Sequence, residues 1–204
     1  LSEFMNRMVQ VALNDASGVV QVNPKFAFGP PGSGTISLQT QEMIQGLPQV
    51  ERVIPFVVTA LGGPNGSADE ESATSGLAGL RPEDMPERFR NMELESGSLP
   101  SPGDGTGIVL GHSLALKYGL HPGDEVNFRG FNFTVSAIFK PYEGLFINNS
   151  AVASLETVRR LASLSPESVV LSVIPREGVD AEELANQIGK RADDVKVVSP
   201  RKAE

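Results

Sequence analysis

Hydrophobic residues recur along this chain at two spacings, and the switches between them divide it into elements. Leu1, Phe4, Met5, Met8, Val11 and Ala12 follow at three- and four-residue steps, the spacing of one helical stripe, and Asn14 to Gly18 ends that helix. Val19, Val20 and Val22 predict a strand stopped by Asn23-Pro24. A second helix is expected over Ser37–Gln45, turning Leu38, Met43, Ile44 and Leu47 to a core, with Gly46 at its C′ position and Pro48 preventing continuation. From Val50 to Ala60, Val53, Pro55 and Val57 alternate with Ile54, Phe56 and Val58, which predicts a strand with an edge or bulge at Pro55.

The middle of the chain has a different character. Residues 61–75 are polar and glycine-rich, hence an exposed loop, and Gly76–Leu80 is a short strand. Arg81 to Phe89 predicts one or two helical turns, and Leu94 to Gly97 leads into an exposed turn at Pro100–Gly105. Ile108, Val109 and Leu110, bounded by glycines, predict a buried strand. A helix over Ser113–Tyr118 then carries Leu114, Ala115 and Tyr118 inward and closes at Gly119, where the missing Cβ makes a left-handed residue cheap. After the turn Pro122-Gly123-Asp124, two alternating runs form a hairpin about Arg129-Gly130: Val126 and Phe128, then Phe131, Phe133, Val135 and Ala137.

Beyond Phe139, Lys140 to Gly144 predicts a turn and Leu145 to Asn148 a short strand. Ser154 is placed to cap a helix running to Leu164, with Leu155, Val158, Leu161 and Ala162 inward and Arg159 and Arg160 in water. Ser168–Ile174 is a strand. Asp180, with Glu183 three residues on, caps a helix through Arg191 that turns Ala181, Leu184, Ala185 and Ile188 inward, and Val195, Val197 and Val198 make the last strand. Two strand-helix-strand units thus flank the middle block. Each alone leaves a sheet face bare, so four strands with both helices on one side form a split β-α-β sandwich, an α+β fold built from both chain ends around a β-rich insertion.

Composition adds limits. A chain of 204 residues with 40% hydrophobic content buries a core, and its net charge of -8 with scattered lysines and arginines argues against nucleic acid, which needs clustered cations. The absence of cysteine removes disulfides and thiolate sites, and no apolar run reaches the ~20 residues that span a bilayer. The start at Leu1 points to a piece of a longer protein.

Candidate chemistry is sparse. Gly111-His112-Ser113-Leu114-Ala115 follows a strand and opens a helix, as a hydrolase nucleophile elbow does, but alanine replaces the last glycine. The only downstream histidine, His121, lies eight residues on in the adjoining turn. His112 and His121 make a poor metal pair without a carboxylate at helical spacing, and Glu182-Glu183 and Asp193-Asp194 are simplest as solvated charges. Asp69-Glu70-Glu71 lacks the alternate-residue spacing of a calcium loop, and the glycines of Pro30 to Gly34 lack the lysine of a phosphate-binding loop. Three glycan acceptor patterns begin at Asn65, Asn132 and Asn148. The expectation is no catalytic residue, no cofactor and no metal. For contact with a partner the candidates are Tyr142, Leu145 and Phe146, apolar groups flanking a glycine in a short turn, for which closing the core of the inserted block is the simpler reading.

The order Val109-Leu110-Gly111, Leu114-Ala115, Tyr118-Gly119-Leu120, Pro122-Gly123-Asp124 and Phe133 to Ile138 resembles the extracytoplasmic core domain of MacB/FtsX-type ABC transporter permeases, the group that includes LolC and LolE. Leu47-Pro48 with Val50, Val53 and Pro55 resembles the first half of the same domain. The resemblance implies a stalk helix over 1–17 continuing from a membrane helix, a porter-like lobe over 18–60 and 151–200, and an inserted sabre-like lobe over 61–150. It further implies a non-enzymatic part of a membrane-anchored permease, on the periplasmic or outer side of the cell membrane. Such a part would couple ATP-driven movement of membrane helices to export or extraction of a substrate, with hydrolysis in a separate cytoplasmic ATPase subunit. A second permease copy, identical or different, and an extracytoplasmic protein are the implied partners. The competing readings are a free-standing secreted binding domain and a serine hydrolase.

Overall fold

The computed structural model describes residues 18–25, 34–67, 75–142 and 145–200, with Leu145 and Phe146 described by their backbone alone. The stalk helix expected over 1–17 and the acidic run Asp69–Glu71 lie outside the described residues. In chain order the elements are β1 (Val20–Pro24), α1 (Leu38–Gln45), β2 (Val50–Ala60), β3 (Gly76–Leu80), a 3-10 turn (Pro82–Asp84), α2 (Met85–Arg88), β4 (Leu94–Gly97), β5 (Gly107–Leu110) and α3 (His112–Tyr118). They continue with β6 (Glu125–Phe128), β7 (Phe131–Phe139), α4 (Leu145–Asn148), β8 (Ser150–Ser154), α5 (Leu155–Leu161), β9 (Val170–Pro175), α6 (Ala181–Arg191) and β10 (Val195–Val198). The fold is α+β.

The chain divides into two compact units. One takes the chain up to Phe56 and again from Leu164, and the other is Val57–Ser163. In the first, the strands run β10-β1-β9-β2. All pair antiparallel, Gln21 facing Val198, Val20 facing Val173 and Pro55 facing Leu171. The register shift of β2 falls between Val50 and Arg52 rather than at Pro55. This is the split β-α-β arrangement, and one core serves both helices: Ile44 from α1 and Leu184, Ala185 and Ile188 from α6 pack with Val20, Val22, Val53, Leu171 and Val173. Each valine, leucine or isoleucine among them, fully buried, contributes about 1.5–3 kcal/mol.

Helix ends are fixed by side chains. Ser37 Oγ accepts the Thr40 N–H at the start of α1, and the Asp180 carboxylate accepts the Glu182 and Glu183 N–H groups at the start of α6. Two expectations for α1 are corrected. Leu38 is 50% exposed because it occupies the first position of the helix, ahead of the stripe that meets the core. Gly46 has a right-handed φ of −83°, so its glycine is not there for a left-handed turn.

In the second unit the sheet runs β3-β8-β5-β7-β4, with β6 also on β7. The β6–β7 hairpin turns at Arg129 and Gly130 with φ of 52° and 82°, the left-handed pair that matches strand twist. Gly119 closes α3 with a φ of 62°. Against β3, α5 packs so closely that a Cβ on Gly79 would lie 2.9 Å from Val158 Cβ and 2.9 Å from Val57 Cγ2.

Here the sequence expectations are corrected in several places. Leu145–Asn148 is a helix and not a strand. Leu94–Gly97, taken for the approach to a turn, is a strand pairing Leu94 with Phe139. Ser150–Ser154 is a wholly buried central strand, parallel to β3 and antiparallel to β5, and Ser154 makes no side-chain cap. Residues 151–163, expected with the chain ends, therefore lie in the second unit. Helix α5 stops at Leu161, and Arg159 is half buried rather than in water. Burial, and after it the nearby Arg81 charge, pull the Arg159 guanidinium below its usual range.

Candidate functional site

The stretch that drew most sequence signals folds around Gly111. Its N–H donates to Ser150 O at 2.8 Å, and α3 begins immediately after it. A Cβ at Gly111 would lie 2.0 Å from Ile147 O and 2.5 Å from Asn148 O, so the end of α4 rests directly on this backbone. Glycine is needed here for close approach. Ser113 is exposed on α3, and His112 Nδ1 lies 2.8 Å from Glu95 Oε2 on β4. His121, 78% exposed, has Nδ1 3.6 Å from Asp124 Oδ2, so each histidine faces a different carboxylate. Among the described residues no group of three histidine, cysteine or acidic side chains is placed to hold a metal.

The loop proposed for partner contact is pinned from inside. Tyr142 N–H donates to Asn148 Oδ1 at 2.9 Å, and Asn148 Nδ2 donates to Tyr142 O at 2.7 Å, closing the loop between β7 and α4. Tyr142 is half buried. Asn148, first of a glycan acceptor triplet, is thus a brace for the loop. Leu116, on α3, is 74% exposed.

Asp194 is the polar residue that sequence reasoning missed. Expected as a solvated charge, it receives the Ser37 N–H and the Thr40 hydroxyl, each at 2.8 Å, joining the turn before β10 to the start of α1. No local pattern announces it, since the partners lie 157 and 154 residues away. Burial raises its carboxyl, but the hydrogen bonds from Ser37 and Thr40 outweigh it and hold the net value below the ordinary 3.8. A depressed folded value adds stability that is complete above the unfolded value near 3.8 and disappears as pH falls through the lower folded one. Asp194→Asn should cost about 1–2 kcal/mol at neutral pH and flatten the acid limb of the stability profile, as urea midpoints across a pH series would show. An unchanged limb would remove Asp194 from the account.

A model of the MacB-like periplasmic core domain family matches residues 1–191. The chain belongs to this family. As a MacB-like domain it shares the fold of the periplasmic region of MacB from Actinobacillus actinomycetemcomitans, with a TM-score of 0.67 and 13% identity, covering 95% of this chain and 94% of that one. It is also similar to the extracellular domain of the noncanonic ABC-type transporter YknZ from Gram-positive bacteria, with a TM-score of 0.62 and 14% identity over 89% of this chain and 100% of that one. At these identities the likeness is one of fold. Among curated proteins no sequence matches. The MacB-like domain is the extracytoplasmic part of an ABC transporter permease, and its family is not a known enzyme family. Among its described residues no helix is long and apolar enough to cross a membrane.

Proposed function

We propose that the MacB-like domain is a lever between two membrane helices of a full permease. ATP hydrolysis by a separate cytoplasmic subunit moves those helices, and the domain converts the motion into rearrangement outside the membrane, acting on a substrate or on an extracytoplasmic protein. A second permease copy completes the machine. The supporting observation is that β1 and β10 are antiparallel neighbours with Gln21 opposite Val198, so the chain enters and leaves the first unit side by side. Force applied at one end segment therefore acts beside the other, through the hydrogen bonds of a single strand pair. In this reading the first unit is the porter-like lobe and Val57–Ser163 the sabre-like lobe.

The test uses the full permease with its ATPase in a bilayer disc, in a cysteine-free form, with a spin label on a cysteine replacing the exposed Leu116 of each copy. Nucleotide should change the label separation, and flexible Gly-Ser insertions after Gly18 and after Pro200 should abolish that change while ATP hydrolysis continues. Separations indifferent to nucleotide, or shifts indifferent to the insertions, would defeat the lever. A free-standing secreted binding domain is the competing reading, and it would win if the parent gene encoded no apolar spans on either side.

The loop of Tyr142, Leu145 and Phe146 is the proposed contact for an extracytoplasmic protein. Tyr142 is tied to Asn148 through its backbone N–H and carbonyl, so the bonds that brace it come from the backbone. Tyr142→Ala and Phe146→Ala should weaken partner capture about tenfold or more while shifting the melting temperature little. Loss of folding in both variants would assign the loop to the core of its own unit.

A further inference from the structure

We infer that Asn65 is a site of spontaneous covalent ageing, converting to aspartate and isoaspartate through a succinimide. Of the asparagines in the chain, Asn65 alone precedes a glycine. Pro64 to Ser67 form a tight turn closed by the Ser67 N–H on Pro64 O at 3.1 Å, with Asn65 and Gly66 at φ of 53° and 75°. Asn65 and Gly66 are both exposed, and a Cβ placed on Gly66 would meet nothing within 4 Å.

The chemistry requires the Gly66 amide nitrogen to reach Asn65 Cγ. A side chain on the following residue ordinarily obstructs that approach, and here none exists. The Gly66 nitrogen loses its proton and bonds to Asn65 Cγ, the bond from Cγ to the amide nitrogen breaks, and ammonia departs with a proton from solvent. Water then opens the five-membered ring at either carbonyl, giving aspartate or isoaspartate. No oxidant or cofactor enters the balance. Asn65 must first leave its left-handed backbone well, which an L residue other than glycine occupies at a cost of about 1–2 kcal/mol. The 3.1 Å turn bond and the 2.8 Å bond from Asn65 N–H to Asn127 O oppose this, each by about 0.5–1.5 kcal/mol.

Two other asparagines are held by their side chains. Asn127 donates to Asn132 Oδ1 at 2.7 Å and accepts the Gly130 N–H at 3.1 Å, and Asn148 is clamped at both ends by Tyr142. Conversion at Asn65 matters structurally because its N–H donates to Asn127 O at 2.8 Å and Pro64 bridges Phe128, fastening this turn to β6. Isoaspartate inserts an extra backbone methylene there, so the paired left-handed angles and the bond to Asn127 cannot both persist.

The folded protein is incubated in heavy-oxygen water at neutral and mildly alkaline pH, then mapped by peptide mass spectrometry with an enzymatic assay for isoaspartate. Label should accumulate at residue 65 at least tenfold faster than at the exposed Asn91 and Asn186, and faster at the higher pH. Label at residue 65 no faster than at those two would overturn the inference. So would rapid labelling confined to the urea-unfolded chain, since the turn would then protect the residue.

Discussion

Phe139→Ala is expected to cost about 3–5 kcal/mol and to lower the melting midpoint by roughly 10 °C. The ring is 2% exposed, at the end of β7. It stands 5.1 Å from the Phe89 ring, edge to face, and its backbone pairs with Leu94 of β4. Truncation therefore removes the buried apolar surface, the aromatic pair and the side chain against which α2 and β4 are seated, and those elements cannot collapse into the void without breaking strand pairing. Thermal and urea unfolding followed by circular dichroism would measure it. A loss under about 1 kcal/mol would mean that β4 and α2 form no cooperative part of the unit.

Gly111→Ala is the second large effect, expected at about 3 kcal/mol even though the change adds one methyl group. The φ of Gly111 is −65°, so backbone conformation is no obstacle. The cost is purely steric: the new carbon would lie 2.0 Å from one carbonyl oxygen and 2.5 Å from the next, both belonging to backbone that cannot swing aside as a side chain does. Relief means lifting α4 away from α3, which also strains the 2.8 Å bond from Gly111 N–H to Ser150 O and so the start of β8. Gly119→Ala is the control. It sits at a φ of 62° with nothing within 4 Å of a new Cβ, and should cost only about 1 kcal/mol. A loss at Gly111 no larger than that at Gly119 would mean that the end of α4 yields to the added carbon, and that close approach is not what makes Gly111 a glycine.

Much of the framework was legible because its elements obey local rules. β7 alternates as far as Ala137, with Phe133, Val135 and Ala137 buried and Asn132, Thr134 and Ser136 less so, before Ile138 and Phe139 are buried together. Helix α6 carries its own cap in Asp180 and its inward stripe in Leu184, Ala185 and Ile188. Strand β8 shows the opposite case. Its sequence Ser-Ala-Val-Ala-Ser holds one β-branched residue and no alternation, because all five residues are buried, with β3 and β5 paired along its two edges, so neither face needs to be polar. The uncharged run from Leu145 to Leu155 was its one visible trace. Leu145 to Asn148 could not be settled locally either, since four apolar-rich residues suit a strand or a helical turn alike.

The candidate site was less legible than the fold. Asp194 looks like any exposed acid until the end of the chain folds back onto α1, and the histidines look like possible partners until each meets its own carboxylate.

What the sequence by itself determined is the set of elements whose periodicity, caps and turns are written in neighbouring residues, together with the α+β class that follows from their order. What only the tertiary structure decided is which strand lies beside which, that β8 is central, that Gly111 carries the end of α4, and that β1 and β10 are neighbours. The reason is range. Backbone angles, caps and amphipathic stripes depend on residues within a few positions, whereas pairing partners and close approaches depend on groups far along the chain, as Gly111 and Ile147 are, and Gln21 and Val198 farther still.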